Sequence, residues 1–363
     1  MKWKNIFIYI LLAISSFHLA YLVPILAPLM LLYFFCLYKL SELETIKSAF
    51  FAGLFIGMST ISPHLIFFFT IFNLFGLVLW FILSVWIGLF LVAAQGLRQR
   101  FKYGEFIVPV LWLGLEFFRS ELYFLRFSWM SPGFSFNHHI YSPLLVLGVY
   151  GISLVFFYII ILADKKLWKS LINYIACISL IVFGLNTDNK ENIKTGPKTL
   201  FLQYEYPKLP TLILHLNKIL DENEDVELIV LSEYTFNGLI PDLIYQWCEV
   251  NDIYLIIGAK DMSLEDNFYN TAFVIGPDGK ICHKQVKSVP IQFFNDGVAA
   301  KEQKVWDSPW GKIGLAICYD FSYSFVIDGL VEQGAETLII PTMDAEYWGA
   351  HQHWCASFGL RCR

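Results

Sequence analysis

The run Gly314-Leu-Ala-Ile-Cys-Tyr-Asp320 ends an apolar, β-type stretch on a thiol that is followed at once by a phenol and a carboxylate. At the end of a strand, a thiol beside polar groups is placed as a nucleophile would be. The competing reading is a core cysteine, since cysteine is among the most buried residue types. A purely structural strand, however, does not ordinarily turn polar beside a buried thiol.

Two other polar residues in the same half stand in comparable places. Glu233 closes Leu228-Ile-Val-Leu-Ser-Glu233, where a carboxylate beside apolar neighbours can take the proton of a thiol and return it to a leaving group; a solvated strand-end glutamate is the plain alternative. Lys287 lies in Lys284-Gln-Val-Lys-Ser-Val-Pro-Ile-Gln-Phe-Phe-Asn-Asp-Gly297. A fixed ammonium there would lower a thiol pKa and stabilise an oxyanion, although Lys284 competes for the role and either could be a surface lysine. The order Glu, Lys, Cys, each beside a strand-like run, is more specific than any one of them. Tyr319, Asp320 and Asp296 are candidate supporting groups.

Moving outward, the composition separates two halves. Of 363 residues 56% are hydrophobic and 16% charged, too apolar for an ordinary soluble enzyme. Residues 1–186 hold twelve Lys/Arg against six Asp/Glu, whereas 187–363 hold fourteen against twenty-five. An acidic, water-facing half argues against nucleic acid as a partner.

Seven apolar segments occupy the first half: Ile6 to Ala20, Pro24 to Tyr38, Ser48 to Thr70, Phe72 to Leu97, Phe106 to Phe118, Ser142 to Ala163 and Leu167 to Leu185. Several approach the ~20 residues a helix needs to cross hydrocarbon. With the N-terminus inside, Lys2, Lys4, Lys39, Lys47, Arg98, Arg100, Lys102, Lys165, Lys166 and Lys169 fall on the cytoplasmic side and only Arg119 and Arg126 outside, as the positive-inside rule requires. Seven spans in this orientation put the second half on the outer, periplasmic face of a cell inner membrane. A cleavable signal peptide is not expected, because no small-residue cleavage site precedes the apolar run resuming at Pro24.

The domain organisation read from this is a helical membrane domain over 1–186, a polar linker over 187–197 and an α/β domain over 198–363. In the last, strands are expected at Thr199 to Gln203, Glu227 to Leu231, Ile253 to Gly258, Thr271 to Ile275, Lys312 to Ile317 and Thr337 to Ile340. Helices are expected at Leu212 to Leu220 and Leu239 to Val250, and Asp278-Gly279 as a hairpin turn. The seven cysteines show no Cys-x-x-Cys or metal-ligand spacing, so neither a metal nor an organic cofactor is implied.

The order Glu233, Lys287, Cys318, the Ile-Cys-Tyr-Asp motif and Tyr269-Asn-Thr-Ala-Phe-Val-Ile-Gly-Pro-Asp-Gly279 resemble the carbon-nitrogen hydrolase (nitrilase) superfamily, which uses a Glu-Lys-Cys triad on an α-β-β-α sandwich. The first half narrows the resemblance. Leu111-Trp-Leu-Gly-Leu-Glu-Phe-Phe-Arg119, Phe127-Ser-Trp129 and Gly148-Val-Tyr-Gly-Ile-Ser153 are similar to signatures of the membrane-bound apolipoprotein N-acyltransferases. Glu116 and Arg119, i and i+3, are read as an ion pair that lowers the cost of their burial.

The resemblance implies transfer of an acyl chain from a phospholipid, through a Cys318 thioester, to the α-amine of a diacylated apolipoprotein. Lys287 and backbone N–H groups near Cys318 would stabilise the intermediates. A membrane-anchored amidase or nitrilase would use the same triad, and an inactive homologue would use none. Two departures stand out. The family's second glutamate is replaced in Pro290-Ile-Gln-Phe-Phe-Asn-Asp-Gly297, where Asp296 is the nearby carboxylate. Family members also continue beyond the stretch matching His351-Gln-His353 through further strands and a last membrane helix, which implies that the C-terminal part is missing here. Residues Asp344 to His353, rich in Trp, Tyr and His, either line the pocket behind the thiol or pack on the sheet edge.

Overall fold

A computed structural model describes residues 3–186 and 196–343, which form two compact units. The first is helical: α1 (Trp3–Leu22), α2 (Met30–Leu40), α3 (Ile46–Ile61), α4 (Phe68–Phe72), α5 (Phe75–Arg100), α6 (Val108–Phe117), α7 (Gly148–Asp164) and α8 (Trp168–Asn186). Each of the seven apolar segments contains a helix. Trp3–Leu22, Phe75–Arg100 and Trp168–Leu185 are long and apolar enough to cross a membrane by themselves; Pro24–Leu40, Ile46–Ile61 and Gly148–Asp164 are shorter apolar helices. At 1.5 Å per residue, the 26 residues of α5 exceed the ~30 Å of a hydrocarbon core.

Prolines account for the boundaries that differ from the expected segments. The Ser48 to Thr70 segment is broken at Pro63, which has no N–H to continue the helical ladder, so α3 stops at Ile61 and α4 begins at Phe68. Pro24 and Pro28 hold the start of the second segment in a 3-10 turn, Pro24–Leu29. Pro143 likewise sits in the 3-10 stretch His139–Leu147 before α7. Glycines let α3 and α5 touch backbone to backbone, and a Cβ on Gly57 would stand 2.8 Å from the Ser84 Cα.

Ion pairs tie together the helix ends that carry most of the basic residues. Lys39 at the end of α2 meets Asp164 at the end of α7 at 2.6 Å, Arg98 in α5 meets Glu42 at 2.7 Å, and Lys165 meets Glu105 at 3.0 Å. The Arg98 guanidinium also donates to the Tyr38 carbonyl and the Ser41 hydroxyl. These loops therefore share one end of the helical unit, as alternating up and down helices require.

The second unit is an α/β domain of two sheets. Strands β1 (Thr199–Phe201), β2 (Leu228–Val230), β3 (Tyr254–Asp261), β4 (Tyr269–Ile275) and β5 (Ile281–Val286) form one sheet in that order, parallel through β3 and antiparallel from there to β5. Strands β6 (Trp306–Ser308), β7 (Gly311–Leu315) and β8 (Thr337–Ile339) form a second. Helices α9 (Leu209–Glu222) and α10 (Asp242–Asn251) cover the first sheet. Leu212, Leu216, Ile244 and Trp247 pack there on Ile229, Leu231, Leu255, Ile257 and Phe273, residues at alternate positions along their strands. Helix α11 (Ser324–Glu332) follows the second sheet. The expected strands all form. Strands β5 and β6 and helix α11 are not among the expected elements; β5 alternates little because its residues are half exposed.

Candidate active site

Glu233, Lys287 and Cys318 reach the site from the ends of β2, β5 and β7, across the two sheets. Glu233 follows β2 by three residues and is anchored by its own N–H, which donates to the carbonyl of Thr342 beyond β8 at 3.1 Å. Its side chain is buried, and its Oε1 accepts from Lys287 Nζ and from Asn270 Nδ2, both at 2.7 Å. Lys287, immediately after β5, is fully buried with its ammonium 2.7 Å from both Glu233 and Asp296. A Cβ on Gly258 of β3 would fall on the Glu233 carbonyl, so only glycine lets β3 pass behind this turn.

Asp296 closes the cluster. Its Oδ2 meets Lys287 and accepts from the Ile291 N–H at 2.9 Å, while its Oδ1 accepts from Tyr234 OH at 2.6 Å and Asn270 Nδ2 at 2.9 Å. Burial alone would push Lys287 down, but Glu233, Asp296, Cys318 and Asp320 outweigh it and hold the ammonium well above its usual range. Burial also works against ionisation of Asp296, where Lys287 with the Tyr234 and Ile291 donors prevails and keeps the carboxyl below the ordinary value. The Tyr234 phenol is pushed up by burial and by Asp296, so it stays a donor.

Cys318 opens the 3-10 turn Cys318–Ser322 and is buried with φ at +49°, a left-handed conformation costly for a residue with a Cβ. The turn is held by Asp320, whose carboxylate accepts from three backbone N–H groups: Ser288 at 3.0 Å, Val289 at 2.7 Å and Ile317 at 3.1 Å. Asp320 thus ties the segment after Lys287 to the turn that carries the thiol. Burial pushes its carboxyl up to about 6, against Lys287 and those three donors. The Cys318 N–H donates to the Pro341 carbonyl at 2.9 Å and the Asp320 N–H to Ile317. Both are therefore committed within the protein. A carboxylate, an ammonium and a thiol converging in a buried site can carry out nucleophilic acyl chemistry.

Comparison with known proteins accounts for both units. Residues 8–162 match the apolipoprotein N-acyltransferase N-terminal domain, and residues 219–358 match carbon-nitrogen hydrolase. The chain belongs to the apolipoprotein N-acyltransferases of the carbon-nitrogen hydrolase superfamily. Curated relatives of this family member resemble only its second unit. An omega-amidase of Xenopus laevis is 30% identical over 117 residues, 29% of this chain and 41% of the relative, and one of Mus musculus is 32% identical over 104 residues, 25% and 37% respectively. The chain thus spans about two fifths of the length of these relatives. Among solved structures, a nitrilase-superfamily member of Saccharomyces cerevisiae is 22% identical, with TM-score 0.37, covering 45% of this chain and 70% of that one. A carbon-nitrogen hydrolase of Helicobacter pylori is 18% identical, with TM-score 0.39, covering 46% and 69%.

Not every residue singled out in the sequence of this acyltransferase-family chain joins the cluster. Lys284 lies on β5 and pairs with Asp261 at 2.7 Å, half exposed, so the competition between the two lysines falls to Lys287. Tyr319 packs edge-on against Tyr323 at 5.0 Å. Residues Asp344 to His353 lie outside the described residues. Two members of the cluster were missed, Tyr234 and Asn270. Tyr234 directly follows Glu233, and Asn270 stands inside the quoted Tyr269-Asn-Thr-Ala stretch, but nothing in spacing alone says that either side chain turns toward the lysine. Among the described residues no group of three or more His, Cys, Asp or Glu side chains could hold a metal ion.

The ion pair expected in the helical unit does not form. Helix α6 passes at Phe118–Leu122 into a π-helical turn, which alters the register on which the i, i+3 argument depends. Glu116 Oε2 accepts from the Trp112 indole at 3.0 Å, while Arg119 donates to the Trp129 carbonyl and the Ser131 hydroxyl, both at 3.3 Å.

Proposed function

We propose that this protein is a membrane-bound N-acyltransferase that carries an acyl chain on Cys318. Glu233 accepts the thiol proton, and the sulfur attacks an acyl ester of a phospholipid, phosphatidylethanolamine in the family resemblance. The tetrahedral intermediate collapses to a thioester, and the proton returns to the departing lysophospholipid oxygen. The α-amine of a diacylglyceryl-cysteine at a lipoprotein N-terminus then attacks the thioester, the amide forms, and the thiol is restored. Lys287 has three N–H donors; Glu233 and Asp296 take two, and the third stabilises the oxyanion. Asp296 acts as the second carboxylate in place of the family's glutamate.

The observation that carries this reading is the pairing, in one chain, of the acyltransferase family's helical domain with a buried Glu-Lys-Asp cluster beside a cysteine. Both substrates keep their acyl chains in a bilayer, so a membrane domain is what this chemistry needs. In the same reading the seven apolar segments span an inner membrane with the N-terminus inside and the second unit on the periplasmic face. The curated amidase relatives favour a second reading, in which water rather than an amine attacks the thioester. Purified protein given labelled phosphatidylethanolamine and a diacylated lipopeptide distinguishes the two. N-acylated peptide supports transfer, free fatty acid or ammonia from small amides supports hydrolysis, and no thioester adduct on Cys318 defeats both.

A further inference from the structure

In the helical unit Glu116 and Arg119 are each only 5% exposed, yet Glu116 Oε1 and Arg119 Nε have no hydrogen-bond partner among the described residues. Both side chains line a narrow cavity of about 30 Å³ that is otherwise walled by groups such as Phe17, Tyr33, Phe90 and Met130. Leaving a buried acceptor and a buried donor unmet is costly, more so when they are charged, and hydrocarbon offers no replacement. The cavity, about 30 Å³, is large enough to admit water.

We infer that this cavity is an internal water site, in which a water accepts from the Arg119 Nε–H and donates to Glu116 Oε1. Tyr33 and Thr60, two hydroxyl-bearing residues, line the same cavity and add to the polar surroundings that a bound water needs. The water bridges an acid and a base that the π-helical turn keeps from pairing directly. It thereby fixes Arg119, whose other donors hold the Trp129 carbonyl and the Ser131 hydroxyl in the irregular, buried segment from Ser128 to Asn137. Non-helical backbone inside a membrane domain persists only where protein or enclosed water satisfies it.

X-ray radiolysis of the full chain in detergent, read by mass spectrometry, tests the inference, because activated bound water oxidises the side chains around it. Two methionines serve as probe and control: Met130 lines the cavity and is 4% exposed, whereas Met30 is 0% exposed and does not line it. Met130 is expected to oxidise several-fold faster than Met30 in the native chain. Glu116→Gln, which keeps a carbonyl acceptor, should preserve that ratio, and Glu116→Leu should reduce it toward one. Equal protection of the two methionines in the native chain overturns the proposal whether or not the variants fold. So does an unchanged ratio in folded Glu116→Leu, which would mean that Met130 is reached by bulk solvent.

Discussion

Replacing Lys287 with methionine removes a cation held 2.7 Å from both Glu233 and Asp296 and fills its place with apolar volume. At an effective dielectric of about 20, each contact has a gross Coulomb energy of about 6 kcal/mol, most of which offsets desolvation. Breaking a buried pair by removing one partner costs about 3–5 kcal/mol net. The two carboxylates left behind also repel. Both reach the same Asn270 nitrogen, at 2.7 and 2.9 Å, so those oxygens are at most about 5.6 Å apart and their repulsion is about 3 kcal/mol at the same dielectric. Lys287→Met should therefore lower the melting temperature of the α/β unit by about 10 °C. Adding Asp296→Asn removes one of the stranded charges and should restore roughly 2–3 kcal/mol, so the double variant is the more stable of the two. Thermal unfolding of the four chains of this cycle, followed by limited proteolysis of the second unit, measures it. Additive losses, or a double variant weaker than Lys287→Met, would refute the view that the ammonium is there to hold two carboxylates together.

Gly258→Ala would put a methyl group on the Glu233 carbonyl, so acyl transfer and thioester formation on Cys318 should both fall by an order of magnitude or more while α9 and α10 remain packed, as activity and far-UV circular dichroism together would report. Asp320 gives a signed pH dependence. Its folded pKa, about 6, is above the ordinary 3.8, so its contribution to stability is complete below about pH 4 and lost as the pH rises through 6, about 3 kcal/mol in all. Urea midpoints between pH 4 and 7 should fall less steeply with rising pH in Asp320→Asn than in the native chain, and parallel slopes would contradict the assignment. In the helical unit, Gly57→Leu drives a side chain into the α5 backbone at Ser84 and should cost at least about 1–3 kcal/mol, seen as loss of the monodisperse peak on size exclusion in detergent, with Gly57→Ala intermediate.

The parts of the fold that were legible in the sequence are those whose side chains repeat with a period. Strands β1 to β4 and helices α9 and α10 share one core, which leaves its pattern in Ile229, Leu231, Leu255, Ile257 and their partners, and β7 and β8 read as short apolar runs. Strand β5 was hidden because half-exposed residues such as Ile281 and Cys282 carry little pattern, and the hairpin turn Asp278-Gly279 was the better signal for it. In the helical half, hydropathy located the helices but overran their ends wherever a proline diverted the backbone.

For the site, the same distinction applies at the level of single residues. Glu233 and Cys318 could be singled out because each ends a strand-like run, and Lys287 because it is a cation flanked by apolar and β-branched residues. Asp296 and Asp320 were visible only as nearby carboxylates, since their roles depend on where loops return: Asp296 to Lys287, Asp320 to the N–H groups of Ser288 and Val289. Tyr234 and Asn270 had no such mark, because a hydroxyl and an amide gain their meaning here from being buried between charges. The Glu116 and Arg119 expectation failed for the opposite reason. Its spacing rule assumes an α-helix, and the chain departs from one at that point, which leaves two charged groups to find other partners and makes that turn the place in the helical unit where packing alone does not explain the residues.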